Sequence, residues 1–98
     1  MTIEKMINEG KAVIKIAGML DTETAPELEA LFNSTLAGVQ ALTLDFEELE
    51  YVSSAGLRVI LKAQKMMNAA GEMKIIHVNE SVMEIFEITG FTSILTIE

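Results

Sequence analysis

Apolar residues recur along the chain with two different periods, and the periods predict the order of the elements. Alternation over residues 3–7 and 12–17 predicts two strands, and the polar turn between them joins the pair as a hairpin. Helical spacing predicts three helices, which begin near Thr24, Ser54 and Asn79. The remaining short apolar runs predict three further strands, at residues 41–45, 73–78 and 94–97.

The predicted order is β-β-α-β-α-β-α-β, with residues 46–52 as a loop or a single turn. Strands that alternate with helices favour an α/β fold with a mostly parallel sheet, here mixed because the first hairpin is antiparallel. Residues 1–98 are therefore expected to form one domain, with a sheet of 4–5 strands and three main helices.

Turn and cap residues mark the helix boundaries. Thr24 and Glu27 have the spacing of a capping box, and Pro26 falls in the first turn, where its missing N–H does no harm. Asn79 or Ser81 is expected to cap the third helix. Glycines are expected to end the three helices, at positions 38, 71 and 90.

Charge and cysteine content narrow the classes of partner and compartment. The net charge is −8, from 15 acidic and 7 basic residues, which argues against binding to nucleic acid or to an anionic membrane. The chain contains no cysteine, which favours a reducing compartment, the cytoplasm. The apolar runs are far shorter than a membrane span, and the first residues do not resemble a signal peptide.

Two adjacent serines, Ser53 and Ser54, stand where the long second helix begins. Hydroxyl side chains at such a position often cap backbone N–H groups and do nothing else. A phosphate on Ser54 would add about −1.5 to −2 charge at the helix start and would repel a partner docked over it. Spacing alone favours the cap, and the two interpretations stay open at this point.

Several segments together resemble the STAS domain family and, within it, the bacterial anti-sigma-factor antagonists. Ser53-Ser54-Ala55-Gly56-Leu57 is similar to the family's Asp-Ser-Ser/Thr-Gly-Leu stretch before an apolar helix. Gly18-Met19-Leu20-Asp21 resembles its Gly-x-Leu-Asp before the first helix. The other similar segments are Leu42-Thr43-Leu44-Asp45, Gly71-Glu72-Met73 and Phe86 with Thr89-Gly90-Phe91.

The resemblance implies a regulator that works by binding and not by catalysis. In this resemblance Ser54 matches the serine that is phosphorylated in the family, and Ser53 is the alternative acceptor. Asp21 matches an acidic residue of the family that lies near that serine. It implies an anti-sigma factor that is also a serine kinase as partner, and a metal-dependent serine phosphatase that reverses the modification. ATP would belong to the kinase, and no cofactor or metal is expected in this chain. The predicted partner-binding residues are Asp21, Thr22, Ser53, Ser54, Ala55, Gly56, Leu57, Arg58 and Lys62. Thr22 is included because its loop should share a rim of the sheet with Ser54, and Arg58 and Lys62 because a basic stripe could steer an acidic partner.

Two departures from the family pattern leave alternatives open. Ser53 stands where many antagonists carry Asp, and Ala55 where they carry Ser or Thr. STAS domains also occur in transport and lipid-trafficking complexes, where this chain would be a constitutive binding subunit. A serine hydrolase is the weakest alternative, because His77 is the only histidine and no activating base for Ser54 is evident.

The second helix carries two apolar stripes and one basic stripe. The stripe of Val59, Ala63 and Met66 could pack against a neighbouring helix or form an exposed docking face. The basic stripe of Arg58, Lys62 and Lys65 could face solvent or steer an acidic partner.

Overall fold

A computed structural model describes residues 1–98 and confirms the predicted fold class. Five strands and three helices form a single layer of sheet with packed helices, and none of the helices has the length and apolarity needed to cross a membrane. In chain order the elements are β1 (Thr2–Asn8), β2 (Lys11–Leu20), α1 (Ala25–Thr35), β3 (Ala41–Asp45), β4 (Leu49–Val52), α2 (Ser54–Ala70), β5 (Glu72–Ile76) and α3 (Glu80–Thr89).

The sheet is mixed and mostly parallel, with the strand order β1-β2-β3-β5. The hairpin of β1 and β2 is the antiparallel part, and β3 lies parallel to both β2 and β5. β4 pairs in parallel with the last residues of β2, after a register shift between Gly18 and Met19. The end of β2 therefore has a different neighbour from the rest of that strand.

One face of the sheet carries the core. Ile14, Ile16 and Leu44 on the two central strands are fully buried, and the alternate residues Val13 and Thr43 point to the other, more open face. The helices close the core with their apolar stripes, chiefly Leu28, Phe32, Ile60, Met67, Val82 and Phe86.

The second apolar stripe of α2 packs inside the protein, because α1 contacts α2. Val59 and Ala63 are buried and Met66 is half-buried. For Val59 and Ala63 the alternative of an exposed docking face was therefore wrong, since a helix between a sheet and another helix needs two apolar sides.

Two predicted segments differ from the structure. Residues 46–52 were predicted as a loop, yet they contain β4, a strand too short for its alternation to show because Glu50 and Tyr51 are both exposed. Residues 94–97 were predicted as a strand, yet the chain makes a 3-10 turn at Phe91–Ser93 and then one isolated bridge between Ile97 and Ile75.

Asn79 and Ser81 were the two predicted caps of α3, and the residue that caps the helix is Asn79. Its side-chain oxygen accepts a hydrogen bond of 2.9 Å from the N–H of Val82, as expected of an N-cap. Its amide nitrogen donates to the carbonyl of Leu49 at 2.7 Å, which ties the start of α3 to β4. The helix ends as predicted at Gly90, whose φ of 81° lies in the left-handed region.

The central strand should be the most sensitive place to lose side-chain volume. We expect Leu44→Ala to lower the free energy of unfolding by about 2–5 kcal/mol, because the side chain is completely buried and leaves a cavity. Val13→Ala is the matched control, since Val13 is 40% exposed on the open face, and it should cost less than about 1 kcal/mol. Urea unfolding curves measure both values, and equal losses would contradict the assignment of the core face.

Candidate partner-binding site

The first turn of α2 is attached to the end of β2 through Ser53. The backbone N–H of Ser53 donates to the carbonyl of Leu20 at 2.8 Å, and the hydroxyl of Ser53 accepts from the N–H of Gly56 at 3.3 Å. The N–H of Leu57 donates to the Ser53 carbonyl at 2.8 Å, which closes the first helical turn. Ser53 is therefore the N-cap of α2, as its place in the sequence predicted.

Ser54 is the first residue of α2, and its side chain faces the solvent. Its hydroxyl is not used in the cap, because the neighbouring Ser53 supplies that hydrogen bond. Ser53 itself is half-buried. Of the two adjacent hydroxyls, the one on Ser54 is the more accessible.

Gly56 lies against β2 and leaves no room for a side chain. A methyl group there would lie 2.7 Å from Cγ of Leu20 and 2.9 Å from the Leu20 carbonyl oxygen. Leu57 is also buried, with 6% of its surface exposed. These two predicted partner-binding residues thus lie beneath the surface, where they hold Ser53, Ser54 and Ala55 in position.

Asp21 caps the turn that leads into α1. One of its carboxylate oxygens accepts from the N–H groups of Glu23 and Thr24, at 3.0 and 3.1 Å, and from the Thr24 hydroxyl at 3.2 Å. The Thr24 N–H is the main reason that the pKa of Asp21 lies below its usual value, and desolvation opposes part of the effect.

The predicted capping box at Thr24 was wrong. Thr24 makes no side-chain cap to the helix, and its hydroxyl instead donates to the carbonyl of Met19 at 2.8 Å. The hydroxyl also accepts from the N–H of Asp21 at 2.8 Å. The carboxylate of Asp21 instead accepts the N–H groups of Glu23 and Thr24 in the turn that precedes α1.

A groove of about 490 Å³ lies between α1 and α2 and brings several predicted site residues together. Its lining includes four of them: Thr22, Ala55, Arg58 and Lys62. The groove extends along α2 to Lys65, and α1 contributes Glu29 on the opposite side.

The groove is positively charged although the protein is acidic. Lys62 forms an exposed ion pair with Glu29, whereas Arg58 and Lys65 form no salt bridge. Both free cations are exposed. This arrangement suits an acidic group on a partner, since opposite charges favour encounter and register.

Two exposed apolar side chains at the end of β2 and β4 were missed by the sequence analysis. Met19 and Tyr51 are paired residues on β2 and β4, and they are 48% and 42% exposed. The backbone of the next β2 residue, Leu20, binds Ser53, so the pair stands at the end of the sheet that carries Ser54. The sequence Gly18-Met19-Leu20 showed an apolar side chain at Met19. Its pairing with Tyr51 depends on β4, which was predicted as a loop.

The single histidine also has close neighbours that the sequence did not indicate. Nδ1 of His77 lies 3.0 Å from the carboxylate of Asp45 and 3.6 Å from that of Glu47. Burial would raise the pKa of Asp45, but the N–H of Glu47 and the imidazole of His77 outweigh it and lower that pKa. All three groups could in principle ligate a metal, since the ligand atoms lie within 4.8 Å of one another. The carboxylate of Asp45 is hydrogen-bonded to the backbone N–H of Glu47 and to the imidazole of His77, which links the turns after β3 and β5.

The close approach of Gly56 to β2 should make it intolerant of any side chain. We expect Gly56→Ala to lower the free energy of unfolding by about 1–3 kcal/mol, because the added methyl group meets backbone as well as side-chain atoms of Leu20. Ser54→Ala is the control in the same turn and should change it by less than about 0.5 kcal/mol, since Ser54 is exposed. If chemical denaturation gives equal values for both, the packing described here is incorrect.

The cap at Asp21 should make stability depend on pH in a defined direction. The folded-state pKa lies below the unfolded value, so the stabilisation is present above the unfolded pKa and is lost as the pH falls through the folded one. Asp21→Asn should therefore be less stable than the wild type at pH 7, and the difference should shrink toward pH 3. Thermal melts at both values test this, with Thr22→Ala as an uncharged neighbour expected to follow the wild type. A difference that stays constant would contradict it.

Some known proteins resemble this chain in sequence and others resemble it in fold. It is 33% identical to BtrV of Bordetella bronchiseptica, a candidate anti-sigma factor antagonist, over 99% of this chain and 84% of that protein. It is 28% identical to the anti-sigma-B factor antagonist of Staphylococcus aureus, over 97% of this chain and 90% of that protein.

The Bacillus protein SpoIIAA in its phosphorylated form has the same fold, with a TM-score of 0.76 and 19% identity, over 99% of this chain and 91% of that chain. Its unphosphorylated form, an anti-sigma factor antagonist, gives a TM-score of 0.77 and 18% identity, over 99% and 87%. The family model described as STAS domain matches residues 2–98. The chain therefore belongs to the STAS domain family.

Proposed function

We propose that this protein is a cytoplasmic anti-sigma-factor antagonist whose binding is controlled by phosphorylation of Ser54. The proposal rests on the different positions of two adjacent serines. Ser53 caps α2, and Ser54 is exposed at the start of the helix. The relatives that match in sequence over nearly the whole chain are antagonists by name, which supports the same class of partner here.

The partner in this proposal is an anti-sigma factor that is also a serine kinase. It would dock over the start of α2 and the groove beside it, where Thr22, Ala55 and Arg58 are accessible. Arg58 and Lys65 would receive acidic groups of the partner, and Met19 with Tyr51 would supply apolar contact area. Asp21, which is half-buried, contributes by fixing the loop that carries Thr22.

Phosphorylation would end this complex by a local change of charge. The γ-phosphoryl group of ATP passes to Oγ of Ser54, the bond to the β-phosphate breaks, ADP leaves, and the hydroxyl proton goes to a base on the kinase. The new phosphate carries about −1.5 to −2 charge at pH 7. A dianion inserted into an interface that already receives acidic groups is repelled by them and also loses hydration, so the partner dissociates.

The reverse step would be hydrolysis by a metal-dependent serine phosphatase, which returns the free hydroxyl and releases inorganic phosphate. The nucleotide and the metal ions of both reactions belong to the partner enzymes. A constitutive STAS subunit of a transport or lipid-trafficking complex would not need an accessible hydroxyl at this point, which is why the switch is the preferred function.

Binding to the cognate kinase should distinguish the state of position 54. Calorimetry should show Ser54→Asp weakening the complex at least tenfold, which is about 1.4 kcal/mol, because a carboxylate imitates part of the phosphate charge. Ser54→Ala should bind like the unmodified protein and should no longer be released by ATP. Ser53→Ala is the matched control, since it removes the neighbouring hydroxyl, and its binding should change little.

Two results would contradict the switch. Equal affinities of wild type, Ser54→Ala and Ser54→Asp for the kinase would show that position 54 does not control binding. Phosphopeptide mapping after treatment with the kinase would assign the modification to the other hydroxyl if the phosphate were found on Ser53.

A further inference from the structure

The helix that carries Ser54 also carries an arginine at the position best placed to meet a phosphate. Arg58 follows Ser54 by four residues on α2, and residues four apart lie on the same face of a helix, one turn from each other. Arg58 is exposed and forms no salt bridge, so its guanidinium is free to move. Its planar N–H groups match phosphate oxygens better than the single ammonium of a lysine.

The other charges near the start of α2 do not compete for this role. Lys62 is held by Glu29 across the groove, and Lys65 lies eleven residues beyond Ser54, about 16 Å along the helix axis. The first turn of α2 contains no acidic residue. Asp21, in the turn before α1, accepts hydrogen bonds from the N–H groups of Glu23 and Thr24 and forms no ion pair with Arg58.

Two of the backbone N–H groups at the start of α2 are already in use, and those of Ser54 and Ala55 remain as uncharged donors. The N–H of Gly56 donates to the Ser53 hydroxyl, and the N–H of Leu57 donates to the Ser53 carbonyl. The guanidinium of Arg58 is therefore the nearest free, positively charged donor on the same helix face.

We propose that phosphorylated Ser54 forms an ion pair with Arg58 within this chain, and that the pairing withdraws Arg58 from the groove. This inference rests on the proposed function and adds a second effect to it. The phosphate introduces negative charge and also removes one of the two free cations that the groove offers to an acidic partner. Arg58 is thus part of the docking surface in one state and a ligand of the phosphate in the other.

The titration of the phosphate itself tests the ion pair without any partner protein. Phosphoserine is placed at position 54 of the full chain by genetic encoding, and its second ionisation is followed by phosphorus NMR. A neighbouring guanidinium favours the dianion and lowers this pKa, so Arg58→Gln should raise it by about 0.3 units. The shift should shrink in 1 M salt, where charges are screened over about 3 Å.

Lys65→Gln is the matched control, because it removes one positive charge from the same helix and the same groove but at a distance. It should leave the phosphate pKa unchanged. Glutamine and arginine have similar helix propensities, so neither variant should disturb α2, which circular dichroism verifies. An unchanged pKa in Arg58→Gln, or an equal shift in Lys65→Gln, would overturn the proposed ion pair.

Affinity for the anti-sigma factor separates this inference from the function on which it rests. In the wild type the unmodified protein should bind more tightly than the phosphoserine form, and in Arg58→Gln the ratio of the two affinities should fall by about twofold or more. A ratio of one in the wild type would reject the proposed switch while leaving the NMR result valid. An unreduced ratio in Arg58→Gln would reject the withdrawal of Arg58 from the groove.

Discussion

The first turn of α2 lies directly on the last residue of β2, and this contact decides which groups of residues 53–57 reach the solvent. The backbone of Ser53 is bonded to Leu20, and Gly56 packs on the same residue without space for a methyl group. With the helix held this closely, Leu57 must point into the core and Ser54 must point away from it. The exposure of a single hydroxyl is therefore a result of backbone packing several residues around it.

Several basic residues of this acidic protein are concentrated on one helix. Fifteen acidic residues against seven basic ones keep the surface negative, yet Arg58, Lys62 and Lys65 share one face of one helix. The ion pair between Lys62 and Glu29 joins α1 to α2 across the groove, and as an exposed pair it contributes little to stability. It also leaves Arg58 and Lys65 as the unpaired cations of the groove.

Much of the fold could be predicted from the sequence because its signals were strong and local. Apolar periodicity predicted the three helices and the order of β1, β2, β3 and β5. Gly71 and Gly90 cap two of the helices as predicted, whereas α1 ends at Thr35, before the predicted Gly38. β4 was missed since four residues with two exposed side chains carry almost no periodic signal, and its pairing with β2 is a long-range contact. The cap of α1 was misplaced for a similar reason, since the bonds of Thr24 to Met19 and Asp21 depend on how the loop folds.

The candidate site was predictable in part. The predicted residues came from the resemblance, from the shared rim of the sheet and from the basic stripe of α2, and the structure places Thr22, Ala55, Arg58 and Lys62 around one groove. Neither periodicity nor family pattern could show that Gly56 and Leu57 lie beneath that surface, or that Met19 and Tyr51 form an exposed apolar pair across β2 and β4.

Strand β2 pairs with different strands along its length, and this affects how easily its last residues open. Up to Ala17 the strand is paired with β1 and, over Lys11–Lys15, also with β3, whereas Met19 and Leu20 are paired only with β4. A short parallel ladder anchored on one side opens more readily than the middle of a sheet. The amide protons of this short ladder should therefore exchange with solvent well before those of the central strands.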